Sequence, residues 1–280
     1  MFDTQHLRHP EYFRATHRVA WRVLVDAALA RSGRIVCPSV ATRVDLETLR
    51  PRHSRKYRHV PLGVEDEWLR DRGADDAATW RHRFGLPERF AVCLATTHPH
   101  KGHDTLLRAW RSMLDAGAAP PPLVLTGVSG FADRAIHESA RQLRVDSHVR
   151  HLGWIAREDL RMLLSSATVA LLPSRFEGFG LPLLEAMALG TPAVANDLPV
   201  FREVGGDLVH LVAATDGAAW AEAIRAVLAL PDGVRREWAV RSRRAAAAWT
   251  WDRAASALRA VLAETLTAGR SVDGMETREV

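Results

Sequence analysis

The spacing of short apolar runs constrains the fold of this chain more than any other feature. Eight runs of four to seven residues alternate with segments of helical periodicity. Runs of this length that are apolar throughout are typical of strands buried on both faces of a parallel sheet. The alternation therefore predicts an α/β fold with a doubly wound parallel sheet. The runs cover residues 34–37, 58–62, 90–96, 122–126, 149–153, 168–173, 192–196 and 208–212.

Three of the segments outside these runs carry apolar stripes with the period of an α-helix, and we expect the stripes to face the core. The nine tryptophans are interpreted in the same way, as packing residues rather than platforms for a sugar. The stripes comprise Leu106, Trp110, Met113 and Leu114, then Trp220, Ile224, Val227 and Leu228, and finally Leu258, Val261 and Leu262.

Composition excludes several classes of protein. The 280 residues are 47% hydrophobic and 25% charged, which is ordinary for a globular chain of one large or two small domains. No stretch reaches the ~20 apolar residues of a membrane span, and the first residues lack the apolar core of a signal peptide. The net charge of +5 is spread along the chain, so we predict no nucleic-acid partner. We expect a cytoplasmic protein, with peripheral contact at the inner membrane face as an alternative, and buried free thiols at Cys37 and Cys93.

The segment 174–190 follows an apolar run, contains a glycine turn and then enters a helix near Leu181. Gly178 and Gly180 permit backbone conformations and close approach that side chains would block. Pro182 suits the first turn of a helix. The amide groups and positive dipole end of that helix would favour an anion such as a diphosphate, although a glycine turn alone is as often purely structural.

Two glutamates bracket this turn. Glu177 lies in the loop before the helix, and Glu185 lies about one turn inside it, with seven residues between them. They cannot be neighbours on one helix face, so we expect them to have different roles.

The segment from Glu177 to Gly190 closely resembles the signature of the retaining GT-B glycosyltransferases of family 4, also called glycosyl transferases group 1. The order of other segments is similar to that family over nearly the whole chain. The resemblance implies Rossmann-like halves, of which the second binds a nucleotide-sugar donor. The matching segments are 96–110, 123–127, 151–155, 192–195 and 249–251.

The resemblance also implies roles for single residues. It implies that Glu185 binds the ribose of the nucleotide-sugar and that Glu177 lies near the reacting sugar as a catalytic residue. The turn with Trp154 and Ile155 falls where the family binds the base. Backbone amides of the loop would hold the diphosphate, which makes the implied donor-binding residues of that loop Gly178, Phe179, Gly180 and Leu181.

Lys101 stands out because the chain has only two lysines, the other being Lys56, among 38 basic residues. Where arginine is so strongly preferred, a lysine at a loop–helix junction indicates a need for a compact ammonium group on a flexible stem. The family has a lysine at this point, and we predict that Lys101 neutralises the diphosphate and acts in catalysis. The arginine that the family often has six residues earlier is replaced by Ala95.

Three histidines surround Lys101. His100 directly precedes the lysine and is predicted to donate to a phosphate oxygen. His98 and His103 complete the group, but zinc needs three or four converging ligands and nothing nearby supplies the rest. We therefore predict no metal site, and no cofactor beyond the nucleoside diphosphate sugar that serves as substrate.

The resemblance predicts four regions. Residues 1–66 are expected to be a remnant of the acceptor domain, 67–250 the nucleotide-sugar-binding donor domain, 251–267 a helix that crosses back, and 268–280 a disordered tail. Most of an acceptor domain would be absent, either because the protein is truncated or because its true start lies upstream. Phe2 stands where many relatives have a histidine that contacts the sugar, and phenylalanine cannot make that hydrogen bond.

These observations favour a retaining glycosyltransferase that moves a hexose, of mannose or glucose type, from a nucleoside diphosphate sugar to a glycan or lipid-linked acceptor. The main alternative is a truncated, inactive nucleotide-sugar-binding module, or a subunit that needs a partner chain to supply the acceptor domain. A nucleotide-sugar epimerase on the same fold is a third hypothesis.

Overall fold

The computed structural model describes residues 1, 3–70, 74–213 and 215–276. Phe2, which stands where many relatives have a sugar-contacting histidine, lies outside the described residues, as do residues 277–280 of the predicted tail. The chain divides into two compact units, one of residues 1–63 with 249–280 and one of residues 64–248. The acceptor and donor roles assigned to the predicted regions remain predictions.

All eight predicted strands are present in the described chain. In order they are β1 (Ile35–Cys37), β2 (Tyr57–His59), β3 (Ala91–Leu94), β4 (Leu123–Thr126), β5 (Val149–His151), β6 (Val169–Leu172), β7 (Ala193–Asn196) and β8 (His210–Val212). The α-helices are α1 (Gln5–Arg8), α2 (Ala15–Arg31), α3 (Val40–Leu49), α4 (Asp66–Leu69), α5 (Ala74–Arg83), α6 (His103–Asp115), α7 (Asp133–Gln142), α8 (Arg157–Ser166), α9 (Leu181–Leu189), α10 (Pro199–Gly205), α11 (Gly217–Leu228), α12 (Asp232–Ala246) and α13 (Trp251–Glu276). Short 3₁₀ turns occupy Pro10–Tyr12, Pro51–Lys56, Pro99–Lys101 and Asp146–His148.

The larger unit is built on a six-stranded parallel sheet in the order β5-β4-β3-β6-β7-β8. Its four central strands, β3, β4, β6 and β7, are almost completely buried, as expected for apolar strands covered by helices on both faces. The predicted α/β, doubly wound parallel fold is confirmed.

The stripes of α6 and α11 pack against each other and against the sheet. Trp110 of α6 and Trp220 of α11 are fully buried, together with Leu106 and Ile224. The indole nitrogen of Trp110 donates to the carbonyl of Pro121 at 2.9 Å, so its polar atom is satisfied in the core.

The smaller unit is built around the parallel pair β1–β2, against which α2 and α3 pack with Leu29 and Leu46 buried. On α13, Glu264 accepts hydrogen bonds from Arg34 at 3.0 Å and from Arg58 Nε at 2.8 Å. These bonds tie the last helix to β2 and to the residue just before β1.

The predicted core stripe of α13 was wrong in two of its three positions. Val261 is buried, but Leu258 and Leu262 are exposed. Periodicity reports which residues share a helix face, but it cannot show whether that face has a partner. The helix is described from Trp251 to Glu276, and the boundary at residue 268 between a crossing helix and a tail remains a prediction.

The interpretation of the tryptophans as packing residues was wrong for Trp21 and Trp251, while Trp154 is also the residue predicted to lie in the base-binding turn. Trp68, Trp110 and Trp220 are buried in full, whereas Trp21, Trp154 and Trp251 are 50%, 73% and 44% exposed. An indole is large enough to be anchored at one edge and open at the other.

Both cysteines are free and buried, as predicted. Burial raises the pKa of the Cys37 thiol to about 11 and that of the Cys93 thiol to about 12. Neither thiol is a nucleophile at neutral pH, because the thiolate is the reactive form. Within the described chain, no helix combines the length and apolar character that crossing a membrane requires.

Candidate functional site

The strand order of the large sheet defines where a ligand would bind. The chain leaves β3 for β4 and β5 on one side and returns to β6 on the other. The loops that follow β3 and β6 therefore diverge, which opens a crevice at the carboxyl ends of these two strands, the usual ligand site of open α/β sheets. Lys101 follows β3 and Glu177 follows β6, so both belong to this crevice.

Lys101 and Glu177 form an ion pair across the crevice. The Nζ atom of Lys101 lies 2.6 Å from Oε1 of Glu177, and the two side chains are 20% and 14% exposed. An ammonium group has three donors, so this contact leaves donors for other acceptors, such as phosphate oxygens. The sequence predicted both residues but not their direct contact.

Arg175 joins the two loops and was missed by the sequence analysis. Its guanidinium donates to both carboxylate oxygens of Asp104 at 2.8 and 2.7 Å, and to the carbonyl of Pro99 at 2.8 Å. Its backbone amide donates to the carbonyl of His100 at 2.7 Å. These bonds bracket Lys101 on both sides, so Arg175 fixes the lysine loop relative to the loop of Glu177.

The contact with Arg175 changes the pKa of Asp104. Its burial opposes ionisation, but the hydrogen bonds and charges of Arg175 and Arg108 outweigh that effect and lower its pKa. Nη2 of Arg175 bonds both oxygens of Asp104 while Nη1 bonds the carbonyl of Pro99, so the rigid guanidinium fixes these two partners relative to each other. The sequence shows Arg175 close to the glycine turn, but it does not indicate that Asp104 is its partner.

Gly102 allows the loop of Lys101 to approach the sheet. It has φ of +71°, and a Cβ atom would overlap the backbone carbonyl of Pro173 at the end of β6. Gly180 has φ of +91° at the N-terminal cap of α9, and a Cβ there would lie 2.7 Å from the ring of Phe201. Both glycines are required by their surroundings as well as by their backbone angles.

The N-terminus of α9 faces the same crevice, because the helix begins directly after the loop of Glu177. Its cap residue, Gly180, has no side chain to bond the first amides, and Pro182 lies in the first turn. Gly178 and Leu181 lie on this loop and at the helix start, as the sequence predicted. Phe179 is only 4% exposed, so a ligand contact there would fall to its backbone.

Glu185 lies in the second turn of α9 and is half-buried. Burial raises the pKa of this carboxyl from 4.5 to about 7, and the charge of Arg157 opposes the rise only weakly. Arg157 is itself bonded to Glu67 at 2.8 Å and to Glu65. Among the described residues Glu185 forms no ion pair that would offset this loss of hydration.

Burial disfavours a positive charge on two of the three histidines near Lys101. His103 is buried on α6, and burial lowers its pKa to about 4. Burial also lowers the pKa of His98, followed by the charge of Lys101. The Nδ1 atoms of His98 and His100 lie 3.1 Å apart. The predicted phosphate contact of His100 remains a prediction.

The turn after β5 carries the predicted base-binding residues. The carbonyl of Gly153 accepts from Thr126 Oγ1 at 2.7 Å and from the amide of Gly127 at 2.9 Å, which holds the turn against the end of β4. The indole of Trp154 is 73% exposed, and Ile155 is half-buried. A base stacked on this indole is chemically reasonable.

Comparison with protein families matches residues 76–245 to the model described as glycosyl transferases group 1. Among curated proteins, the chain is 36% identical over 200 residues to a D-inositol 3-phosphate glycosyltransferase of Salinispora arenicola, covering 67% of this chain and 44% of the relative. It is 31% identical over 227 residues to a GDP-mannose-dependent alpha-(1-6)-phosphatidylinositol dimannoside mannosyltransferase of Mycobacterium tuberculosis, covering 78% and 55%. The chain thus spans about half the length of these relatives.

Solved structures show the same fold. The Anabaena protein Alr3699/HepE in complex with UDP-glucose superposes with a TM-score of 0.76 at 21% identity, covering 92% of this chain and 69% of that one. WaaG, a glycosyltransferase involved in lipopolysaccharide biosynthesis, superposes with a TM-score of 0.71 at 18% identity, covering 92% and 72%.

Proposed function

Because the chain belongs to the glycosyl transferases group 1 family, we propose that it binds a nucleoside diphosphate sugar and transfers its hexose, of mannose or glucose type, to a glycan or lipid-linked acceptor. We also infer that it belongs to the retaining enzymes of family 4. The observation that carries this proposal is the crevice between β3 and β6, where Lys101, Glu177 and the start of α9 meet.

The dimensions of the sheet suit such a donor. Neighbouring strands are about 4.8 Å apart, so the turn after β5 lies roughly 10 Å from the end of β3. A base on Trp154 and a diphosphate beside Lys101 would span that distance, with the ribose near Glu185. The mannosyltransferase of Mycobacterium tuberculosis uses GDP-mannose by its name, and the Anabaena structure contains UDP-glucose. Both names support this donor class and leave the base open.

The positive charge of Lys101 would stabilise the negative charge that develops on the leaving diphosphate. In the proposed reaction, the bond from the anomeric carbon to the diphosphate breaks and its electrons go to the diphosphate. The acceptor oxygen bonds to that carbon on the same face, and its proton passes to the leaving diphosphate. Preorganised donors that stabilise such developing charge are each worth on the order of 10²–10³ in rate. Lys101 and the first amides of α9 are those donors in this proposal.

Glu177 would face the sugar while holding Lys101 in place. An ionised carboxylate next to the reacting carbon would stabilise positive charge that develops on the sugar ring. Its contact with Lys101 keeps the ammonium group in the crevice before the donor arrives.

Calorimetric titration of the 280-residue chain with GDP, UDP and their sugars tests the donor site. We expect one nucleotide to bind in the micromolar range, and Lys101→Ala to weaken binding about 10- to 100-fold, the value of a charge-assisted hydrogen bond. Lys56→Ala is the matched control, because it removes the other lysine, which bonds to the carbonyls of Leu29 and Ala30.

Two results separate the alternatives. Tight binding without transfer to any acceptor would support a nucleotide-sugar-binding module instead of an enzyme. Absence of nucleotide binding by a chain that circular dichroism shows to be folded would refute the proposal entirely.

A further inference from the structure

A second cluster of polar side chains lies at the carboxyl end of β5. Asp133 and His137 are one helical turn apart at the start of α7, and His151 is the last residue of β5. Each offers one potential ligand atom, and these atoms lie within 4.8 Å of one another. Nε2 of His137 is 4.0 Å from Oδ2 of Asp133, and Nδ1 of His151 is 3.4 Å from Oδ1. The sequence analysis did not identify this cluster, because the histidine of β5 is distant from α7 in sequence.

His151 supplies an independent observation. Its side chain is only 10% exposed, and its Nε2 atom is buried with no hydrogen-bond partner among the described residues. The nitrogen that faces Asp133 is Nδ1, at 3.4 Å from Oδ1, and no hydrogen bond from a described residue at Nε2 holds the ring against a small adjustment toward an ion.

From this geometry we infer a binding site for a divalent transition-metal ion, Zn²⁺ in particular, formed by Asp133, His137 and His151. Two imidazoles and one carboxylate are a ligand set that suits zinc and its neighbours, whereas Mg²⁺ and Ca²⁺ prefer sites made of oxygen. This inference does not depend on the proposed transfer reaction.

Only small movements would close the site around an ion. With metal–ligand bonds of about 2.0–2.1 Å, tetrahedral ligand atoms lie roughly 3.3 Å apart, so separations of up to 4.8 Å need to shorten by as much as about 1.5 Å. The side chain of His137 is 51% exposed and is therefore able to rotate toward Asp133. Three protein ligands leave a fourth position for water or another molecule.

The surroundings of Asp133 also fit a ligand. Its Oδ1 accepts a hydrogen bond from Thr97 Oγ1 at 3.3 Å, and Thr97 is itself buried and bonded to the amide of Gly130 at 2.6 Å. Outer contacts of this kind orient metal ligands. A bound ion would link α7 to the end of β5, two residues before the turn of Gly153.

The test is a titration of the tag-free, chelator-treated full chain with ZnCl₂ by calorimetry. We expect binding of one ion with a Kd of about 10 µM or tighter, and no binding of MgCl₂ under the same conditions. His137→Ala and Asp133→Asn should each weaken Zn²⁺ binding on the order of 100-fold, because each removes a direct ligand. His137 is exposed on α7, so its replacement does not threaten the fold.

Two histidines outside the cluster serve as controls. His148→Ala changes a histidine three residues before His151, and His98→Ala removes one member of the neighbouring pair of imidazoles. Both variants should bind Zn²⁺ as the unmodified chain does. Replacement of Zn²⁺ by Co²⁺ should give a visible spectrum of nitrogen and oxygen ligation without a thiolate band. Failure of the unmodified chain to bind Zn²⁺, or unchanged binding in His137→Ala and Asp133→Asn, would overturn the inference.

Discussion

Replacement of Glu185 by glutamine should stabilise the protein at alkaline pH and leave its stability unchanged at acidic pH. Burial raises the pKa of Glu185 from 4.5 to about 7 in the folded chain. The folded state therefore binds more protons than the unfolded state between these pH values, and its stability falls as the pH rises through this window. Glutamine carries no proton to lose, so the variant escapes this fall.

The expected size follows from the pKa difference. At about 1.36 kcal/mol for each pH unit, a rise from 4.5 to about 7 corresponds to about 3 kcal/mol. Above pH 7 the full difference should separate the two proteins, and below pH 4.5 it should vanish. With a urea dependence of about 2–3 kcal/mol/M, the unfolding midpoint of the variant should increase by about 1–1.5 M at pH 8.

Urea unfolding at pH 4, 6 and 8, followed by circular dichroism, measures this effect. Glu222→Gln is a suitable control, because Glu222 is exposed on α11 and its replacement should change stability by less than about 0.5 kcal/mol. Identical unfolding of Glu185→Gln and the unmodified chain at pH 8 would show that the carboxyl is not buried as described, and the reasoning about Glu185 would fail.

Three further perturbations test how the crevice and the last helix are held. Gly102→Ala and Gly117→Ala start from the same φ of +71°, but only the Cβ at Gly102 would meet backbone, that of Pro173. Both variants should lose roughly 1–2 kcal/mol of stability, because alanine is strained in the left-handed region. Only Gly102→Ala should also weaken nucleotide binding in calorimetry, and equal effects of the two variants on binding would contradict the role given to the close approach at Gly102. Arg175→Lys should weaken nucleotide binding about tenfold while the Tm falls only slightly, since one ammonium group cannot reproduce the fork in which Nη2 bonds Asp104 and Nη1 bonds the carbonyl of Pro99, and unchanged affinity would remove Arg175 from the site. Glu264→Gln should lower the Tm at pH 7 but not near pH 2. Hydrogen bonds from Arg58 and Arg34 lower the pKa of Glu264 to about 2, and the stabilising charge is lost as the pH falls through that value. An equal fall in Tm at both pH values would mean that packing, not charge, holds α13.

The strands were predictable because burial on both faces leaves a direct mark on sequence. A run such as Val169–Leu172 is apolar at every position, as expected for a short strand that helices cover on both faces. The glycine turn was predictable for a related reason, since Gly180 and Pro182 satisfy backbone requirements that are local to the chain.

Contacts between distant segments could not be predicted from local sequence in this way. Lys101 meets Glu177 because β3 and β6 are neighbours in the sheet, and strand order is a property of the whole fold. Arg175 and Asp104 are joined for the same reason. In α13 the opposite error occurred, because Leu258 and Leu262 have helical spacing but are exposed. Local pattern thus predicts the elements, while the partners of each side chain depend on topology.

Two glutamates of this chain have pKa values that the fold shifts in opposite directions. Glu264 accepts hydrogen bonds from two arginines, which lower its pKa to about 2, so its charge contributes to the folded state. Glu185 is half-buried on α9 with no ion pair among the described residues, and the loss of hydration raises its pKa to about 7. A carboxylate of the second kind weakens the fold at neutral pH, so packing alone does not account for it. Hydroxyl donors of a ribose would supply the hydrogen bonds that the protein does not, and binding would then release the proton that Glu185 carries near pH 7. Proton release on nucleotide-sugar binding, measured by calorimetry in buffers of different ionisation enthalpy, should therefore occur in the unmodified chain and be absent in Glu185→Gln.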